Sequence, residues 1–248
     1  ILRYGNAYNS TFIQDALCEA DLAACRAYLD DDAPLPEETR RHLSVSACLP
    51  WKIMAITFTN KAAGELKDRL CAMLGAEGND IWASTFHSTC ARILRRDGER
   101  IGYSSHFTIY DTDDQRRLMK NILKELNVSE KSTPPKAVLN EISRAKDSLI
   151  TPEEYEKTAG DDFRQKIIAR AYKLYQQRLR DADAMDFDDL INKTVELFRA
   201  CPDVLEYYQD RFKYLMVDEY QDTNHAQYTF VRLLAEKHQN LCVVGDDD

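Results

Sequence analysis

A short apolar run that ends in two adjacent carboxylates is the feature that most limits what this chain can fold into. The run Tyr214–Val217 is followed directly by Asp218 and Glu219. This pattern predicts a buried parallel strand whose carboxyl end carries the acids, at the edge where open α/β sheets bind ligands. In nucleotide hydrolases an Asp there holds Mg²⁺ and a neighbouring acid orients the attacking water. A strand that runs into an acidic surface turn has the same pattern, so the pattern alone leaves both interpretations open.

Composition narrows the class of protein. The chain has 248 residues, of which 44% are hydrophobic, and it contains no apolar run of the length that spans a membrane. Its seven cysteines form no CxxC pair, which predicts free thiols in a reducing cytoplasm. The net charge of −9 argues against a generally cationic surface for nucleic acid, although a local basic face remains possible.

Hydrophobic periodicity predicts an α/β fold with an inserted helical block. Residues 53–58 and 81–86 read as buried strands, and each is followed by a helical pattern. Residues 111–209 are helical almost throughout, and strands return only near residues 215 and 241. We therefore predict a parallel sheet that is interrupted by an all-helical subdomain. The chain starts without Met and stops just after a strand, so we expect a fragment of a longer protein.

Two strand ends carry hydroxyl, amide and aromatic side chains. Residues 57–60 end the first strand and open a helix, where hydroxyls and backbone N–H groups suit a phosphate oxygen and an aromatic ring could stack on a base. Residues 85–87 repeat this arrangement one strand later, with no nucleophile near the His. The alternative is a pair of ordinary helix caps above a core aromatic. The candidate DNA-binding residues are Thr57, Phe58, Thr59, Asn60, Thr85, Phe86 and His87.

A second acidic segment, residues 186–190, begins with Asp186 and also carries Asp188 and Asp189. Acids in the first turn of a helix interact favourably with the helix dipole. We prefer this explanation to a metal site.

Five segments in order resemble those of the UvrD/PcrA/Rep-type superfamily 1 DNA helicases. Ile-Met-Ala-Ile-Thr-Phe-Thr-Asn starts at residue 53 and Thr-Phe-His-Ser at residue 85, and the acidic segment 186–190 follows. Val-Asp-Glu-Tyr-Gln-Asp-Thr-Asn starts at residue 217 and Val-Gly-Asp-Asp-Asp at residue 244. The resemblance runs from about residue 50 to residue 248. It implies a RecA-like P-loop NTPase sheet with the family's helical subdomain inserted into it.

The resemblance also implies roles for the site residues. Asp218 and Glu219 would form the metal site, with Asp218 coordinating the Mg²⁺ of Mg-ATP and Glu219 positioning or deprotonating the attacking water. Gln221 and Asp222 would link the nucleotide site to neighbouring motifs, and residues 246–248 would begin the motif that couples hydrolysis to DNA. The seven candidate DNA-binding residues would line the path of single-stranded DNA. The implied cofactors are ATP and Mg²⁺, and the partners are single-stranded DNA and single-strand/duplex junctions, with no membrane.

One expected motif is missing. Helicases of this type hold phosphates with G-x-x-x-x-G-K-[ST], which does not occur in the chain. We predict an incomplete RecA-like domain 1A over 49–100 and 210–248, a helical 1B subdomain over 101–209 and a family-atypical helical insertion over 1–48. The predicted function is a fragment of an ATP-dependent 3′–5′ DNA helicase, inactive alone without that loop and a second RecA-like domain. The alternatives are a non-enzymatic DNA-binding scaffold or the helicase part of a helicase–nuclease.

Overall fold

The structure is a computed structural model that describes residues 18–31, 33–43 and 48–246. Its centre is a four-stranded parallel sheet in the order β2-β1-β5-β6. All five residues of β1 are buried, as expected for a strand covered on both faces. The predicted α/β fold with a parallel sheet is therefore confirmed. The strands are β1 (Ile53–Thr57), β2 (Trp82–Thr85), β3 (Thr108–Ile109), β4 (Ala184–Met185), β5 (Tyr214–Val217) and β6 (Leu241–Val243).

Helices connect and cover the strands. The caps follow the sequence: Thr59 accepts a hydrogen bond from the Ala62 N–H at the start of α3, and Asn224 forms a capping box with Gln227 at the start of α11. The helices are α1 (Glu19–Asp31), α2 (Glu37–Leu43), α3 (Asn60–Leu74), α4 (Phe86–Asp97), α5 (Thr112–Glu125), α6 (Pro135–Asp147), α7 (Pro152–Thr158), α8 (Phe163–Asp181), α9 (Phe187–Ala200), α10 (Pro202–Arg211) and α11 (His225–Ala235). No helix of the described residues is long and apolar enough to cross a membrane.

The helical subdomain that was predicted over 101–209 is not entirely helical. Strands β3 and β4 pair in parallel within it, with Thr108 beside Ala184 and Ile109 beside Met185. Two residues per strand are too few to give the alternating pattern by which a strand is recognised in a sequence. The block therefore contains a small sheet that the sequence analysis missed.

The buried side chains form two hydrophobic clusters. One cluster joins α5, α6 and α8, with Ile122, Ile142 and Tyr175 among its members. The other surrounds the large sheet and includes side chains of α4, α9, α10 and α11, such as Phe198 and Phe230. Helix α9 and all but the last two residues of α10 lie inside the predicted span 101–209, yet both helices pack with the core of the sheet.

The described part of the predicted insertion 1–48 is helical, since α1 and α2 both lie in it. Asp21 in α1 accepts a hydrogen bond from the backbone N–H of Cys18 at 3.1 Å and lies 2.8 Å from Nδ1 of His42 in α2. The contact with Cys18 is local to the start of α1, whereas the contact with His42 joins the two helices. Residues 1–17, 32 and 44–47 of this prediction lie outside the described residues.

Candidate functional site

The register of the parallel sheet brings the candidate residues to one edge. Thr57 at the end of β1 pairs with Thr85 at the end of β2, and Val217 at the end of β5 pairs with Val243 of β6. The N–H of Asp218 donates to the Ile56 carbonyl at 3.0 Å, so the acid leaves β5 directly beside β1. Because parallel strands share their carboxyl edge, the hydroxyl-bearing and acid-bearing segments are neighbours.

The loop after β5 holds its acids in a tightly bonded turn. Glu219 has φ 50° and ψ 44°, a left-handed conformation that non-glycine residues seldom adopt. The side-chain amide of Gln221 donates to Glu219 Oε2 at 2.7 Å, and Gln221 Oε1 accepts from the Asp246 N–H at 3.3 Å. Such a backbone conformation persists where surrounding bonds determine it, and it is concentrated at functional sites. Gln221 thus connects the acids after β5 with the segment after β6.

Gly245 leaves room for the Gln221 side chain. A Cβ at position 245 would collide with the side-chain oxygen of Gln221, and it would lie 3.4 Å from the Tyr220 nitrogen. A larger residue at this position would therefore displace the Gln221 amide that joins the acid loop to the segment after β6. Of the predicted residues 246–248, positions 247 and 248 lie outside the described residues.

The hydroxyl residues mainly organise the strand ends. Thr57 is buried, and its hydroxyl donates to the Thr59 carbonyl at 3.2 Å. Thr85 is also buried and caps α4 by accepting from the Ser88 N–H at 3.3 Å. Asn60 is exposed, together with Thr59. Both helix caps considered in the sequence analysis are present, and they leave backbone and amide groups facing solvent at this edge.

The two predicted aromatic residues differ in exposure. Phe58 is half-buried, and its ring packs edge-on against Phe86 with centroids 5.4 Å apart. Phe86 is 1% exposed and also touches Phe230 at 6.3 Å. A ring without exposed surface cannot stack on a base, which limits the predicted DNA-lining role of Phe86 to supporting Phe58.

His87 lies at the start of α4 with its ring against Phe187. The ring centroids are 5.7 Å apart in an edge-on arrangement, and Phe187 is 50% exposed. Burial lowers the pKa of His87, which favours a neutral imidazole at neutral pH. Sequence reasoning missed Phe187, although a large aromatic between the acids of segment 186–190 was a possible signal.

The acids do not form a complete metal centre by themselves. Among the described residues, no group of three or more His, Cys, Asp or Glu side chains is arranged to hold a metal ion. Asp218 is half-buried at the strand end and Glu219 is exposed. Carboxylate oxygens in this position suit Mg²⁺, which is usually bound through one or two carboxylates plus waters and substrate phosphates.

Comparison with known proteins decides the family. The model of the family described as "UvrD/REP helicase N-terminal domain" matches residues 35–248. The chain belongs to this family. The match contains every candidate site residue of this UvrD/REP domain, and it begins inside the predicted insertion 1–48.

Curated relatives agree with this assignment. The ATP-dependent DNA helicase PcrA of Bacillus subtilis is 54% identical over 199 residues, which is 80% of this chain and 27% of that protein. PcrA of Leuconostoc citreum is 52% identical over 200 residues, and PcrA of Staphylococcus aureus strain NCTC 8325 is 51% identical over 199 residues, each with the same shares. The UvrD/REP domain chain thus spans about a quarter of the length of the relatives it matches.

Sequence reasoning also missed the buried ion network beneath the site. Lys146 of α6 is 1% exposed, and its Nζ lies 2.7 Å from Asp186 Oδ2 and 2.9 Å from Asp189 Oδ1. The Tyr175 hydroxyl donates to the same Asp186 oxygen at 3.0 Å. Asp186 and Asp189 also form the capping box of α9, as the helix-start explanation predicted. In this UvrD/REP domain the network joins α6, α8 and α9, and no local pattern links residue 146 to residue 186.

Asp188 lies beside a cavity of about 150 Å³ that His87, Asp147 and Asn224 also line. Burial, together with the charge of Asp186, raises the pKa of Asp188 to about 6. The folded state therefore holds this proton more tightly than the unfolded state. The free energy of unfolding must then fall as the pH rises from about 4 to about 6, and the loss remains above pH 6.

We expect Asp188→Asn to raise the free energy of unfolding by about 1–2 kcal/mol at pH 7, because the neutral amide avoids this loss. At pH 4 the variant and the wild type should differ little. Urea denaturation at both pH values measures the effect, with the exposed Asp161→Asn as the control. An equal gain at both pH values would show that the charge of Asp188 is not the cause.

Proposed function

We propose that this chain supplies the acids of the Mg-ATP site and part of the single-stranded DNA path of an ATP-dependent 3′–5′ DNA helicase. The observation that carries the proposal is the shared edge of the sheet. The register of β2, β1, β5 and β6 brings the segments after Thr57, Thr85, Val217 and Val243 together. One edge can then contact nucleotide and DNA at neighbouring strand ends.

The acids have separate roles in this proposal. Asp218 leaves the buried strand β5 beside β1 and would hold Mg²⁺ when nucleotide is bound, which neutralises phosphate charge. Glu219 is exposed, and the hydrogen bond from Gln221 fixes the position of its carboxylate. The carboxylate would then be placed to orient or deprotonate a water molecule. Gln221 also bonds the Asp246 N–H, which makes it the link between the acid loop and the segment after β6.

The DNA path uses the exposed groups of the same edge. Phe58, His87 and Phe187 present ring surface, and Asn60 and Thr59 present polar groups beside the start of α3. Exposed ring surface suits the bases of a single strand, which stack on aromatic side chains without sequence preference. The buried residues Thr57, Thr85 and Phe86 hold these groups in place. The proposed partners remain single-stranded DNA and junctions with duplex.

The proposed division into subdomains follows the sequence analysis, with one addition. Residues 49–100 and 210–248 form the RecA-like part, and 101–209 form the inserted part. Packing of α9 and α10 against the sheet gives these two parts a common core. The seven free cysteines fit a reducing cytoplasm as the proposed location.

We expect the isolated chain to show no DNA-stimulated ATPase activity, because its 248 residues contain no G-x-x-x-x-G-K-[ST] loop to hold the phosphates. The companion experiment is a chimera of Bacillus subtilis PcrA. In it, the 199 residues of PcrA that match this chain are replaced by the matching residues of this chain. The chimera should hydrolyse ATP with stimulation by single-stranded DNA. Asp218→Asn in the chimera should lower kcat by at least about 100-fold, because loss of a residue that only supports a metal ligand already costs about 10–100-fold.

Two outcomes would contradict the proposal. Helicase-like turnover by the isolated chain would show that the missing loop is not needed. A folded chimera no more active than its Asp218→Asn version would favour the non-enzymatic scaffold, the alternative that the missing phosphate loop supports.

Phe58→Ala in the chimera should weaken binding of single-stranded DNA by about 1–3 kcal/mol, the typical effect of losing one stacked base. Fluorescence anisotropy with a labelled oligothymidylate at fixed salt measures this loss. Phe163→Ala is a matched control, because Phe163 is 78% exposed at the first residue of α8, outside the segments that follow the strands of the large sheet. Equal affinities of the two variants would refute stacking by Phe58.

A further inference from the structure

A cluster of arginines and aromatic rings lies around the start of β2, at the end of the sheet opposite the acids. Its centre is Trp82, the first residue of β2. The guanidinium carbon of Arg92 lies 3.9 Å from the centre of the Trp82 ring, and that of Arg211 lies 5.3 Å from it. The guanidinium carbon of Arg96 lies 3.7 Å from the ring of Tyr207. We call these five residues the amino-edge patch.

The fold explains why these residues meet. Helix α4 begins at the carboxyl end of β2 and runs back along the strand, and the Trp82 indole donates to the Thr89 hydroxyl at 3.2 Å. This antiparallel course carries Arg92 and Arg96 to the amino end. Helix α10 contributes Tyr207, whose hydroxyl accepts a hydrogen bond from Arg211 Nη1 at 3.2 Å.

The patch is positive although the chain is acidic. In the part of the chain that the structure describes, Arg92 and Arg211 contact no carboxylate, and Arg96 has only its neighbour Asp97, at 3.6 Å. The hydrogen bond from Arg211, together with Arg96, lowers the pKa of Tyr207. The groups that lower the pKa of this exposed tyrosine are therefore the guanidinium groups of the patch itself. The net charge of the whole chain is −9.

The residues that precede the neighbouring strands β1 and β5 add further positive charge. Lys52 precedes β1 and Lys213 precedes β5, and the N–H of Lys213 donates to the Lys52 carbonyl at 2.8 Å. Trp51, in the turn before β1, is 48% exposed. The amino end of the sheet therefore combines cations with exposed apolar surface, whereas the carboxyl end carries Asp218 and Glu219.

We propose that the amino-edge patch binds a short acidic segment of a partner protein, one that mixes carboxylates with apolar side chains. A guanidinium held against a ring keeps its N–H groups directed outward, where they match the two oxygens of a carboxylate. Trp, Tyr and Arg are also the residues that contribute most to protein–protein interfaces. This surface is separate from the proposed nucleotide and DNA edge.

Nucleic acid fits the patch less well for two reasons. The guanidinium groups already lie over the rings of Trp82 and Tyr207, so these ring surfaces are not free to stack on bases. A long polyanion would also meet the negative charge of the remaining surface. A short peptide interacts mainly with the patch itself, because charges beyond about 8 Å are screened at physiological salt.

Fluorescence anisotropy of this chain with a labelled peptide of about 15 residues tests the proposal. The probe alternates Asp or Glu with Leu or Phe, and the comparison peptide carries Asn and Gln in place of the acids. We expect the acidic peptide to bind at least about tenfold more tightly. The double variant Arg92→Gln/Arg96→Gln should weaken it at least about fivefold, in line with the loss of two exposed charge pairs. The double variant Arg116→Gln/Arg117→Gln on α5 removes the same charge elsewhere and should bind like the wild type.

A second measurement leaves the patch intact. Trp51→Phe makes Trp82 the only tryptophan of the chain, so the acidic peptide should change its fluorescence. Equal binding of the acidic and neutral peptides, equal binding by the two double variants, or an unchanged Trp82 signal at saturation would each overturn the proposal. Tighter binding of a short DNA duplex than of the peptide, lost in Arg92→Gln/Arg96→Gln, would assign the patch to nucleic acid instead.

Discussion

Replacing Lys146 with methionine is expected to lower the free energy of unfolding by about 3–5 kcal/mol at pH 7, because two buried carboxylates lose their counter-charge. Lys146, Asp186 and Asp189 are each no more than 3% exposed. Burial alone would lower the pKa of Lys146, but Asp186 and Asp189 raise it overall. Burial works against ionised Asp186 as well, yet Lys146 lowers the pKa of that carboxyl.

The signs of these shifts define a pH window. The raised pKa of Lys146 stabilises the fold below about pH 10.5, and the lowered pKa of Asp186 stabilises it above about pH 4. Burial and the charge of Asp186 raise the pKa of Asp189, so this second acid carries the unmatched charge of the network. The loss of unfolding free energy caused by Lys146→Met should therefore become smaller as the pH falls from 7 to 5, because the unpaired carboxyls then take up protons.

Urea denaturation at pH 7 and pH 5 measures this effect. Lys166→Met is the control, because Lys166 pairs with Asp161 at 3.0 Å on the surface, where such pairs contribute at most about 1 kcal/mol. If Lys146→Met lowers the free energy of unfolding no more than Lys166→Met does, the proposed role of the buried network is contradicted.

Phe86→Ala is expected to lower the free energy of unfolding by about 3–5 kcal/mol, the usual loss for a large aromatic residue in a core. Its ring is 1% exposed and lies between Phe58 and Phe230. The half-buried Phe58 is its matched comparison, and Phe58→Ala should lose less stability. Thermal or urea unfolding of the two variants gives the contrast directly.

Leucine substitutions at Phe58 and Phe86 distinguish a residue that contacts DNA from one that supports it from below. Phe86→Leu keeps an apolar side chain beneath Phe58 and should retain most of the affinity for single-stranded DNA in the chimera with PcrA. Phe58→Leu removes the exposed ring and should lose most of the affinity for single-stranded DNA. If Phe86→Leu binds DNA as weakly as Phe58→Leu while remaining folded, Phe86 contacts a base after a rearrangement of this edge.

The sequence predicted the large sheet well because its strands are short apolar runs with polar residues at one end. The predicted strands at residues 53–58 and 81–86 correspond to β1 and β2 within one residue at each end. Their ends could be placed at one edge because parallel strands must share it. The same logic located Asp218 and Glu219, whose roles stay proposals.

Features that depend on distant residues could not be predicted. Lys146 lies in an ordinary helical pattern, and only the folded chain shows that it meets Asp186 and Asp189. Likewise, Thr-Phe-His predicts an aromatic at a helix start but not which side of α4 faces the core. Arg92 and Arg96 of α4 contact the rings of Trp82 and Tyr207 only because the fold brings β2 and α10 beside α4.

The pairing of β1 with β5 has a consequence for the order of folding. Ile53 pairs with Tyr214, about 160 residues later in the chain. At a synthesis rate of about 5–20 residues per second, β1 waits about 8–32 s for its central partner, with only β2 available beside it. Helices α5, α6 and α8 share a hydrophobic cluster of their own, and all three are synthesised before β5, so they can assemble during this interval. In a cell, the large sheet is therefore the last part of the fold to be completed. Until β5 is synthesised, the apolar side chains of β1 stay exposed, and β1 is the segment most in need of protection from aggregation.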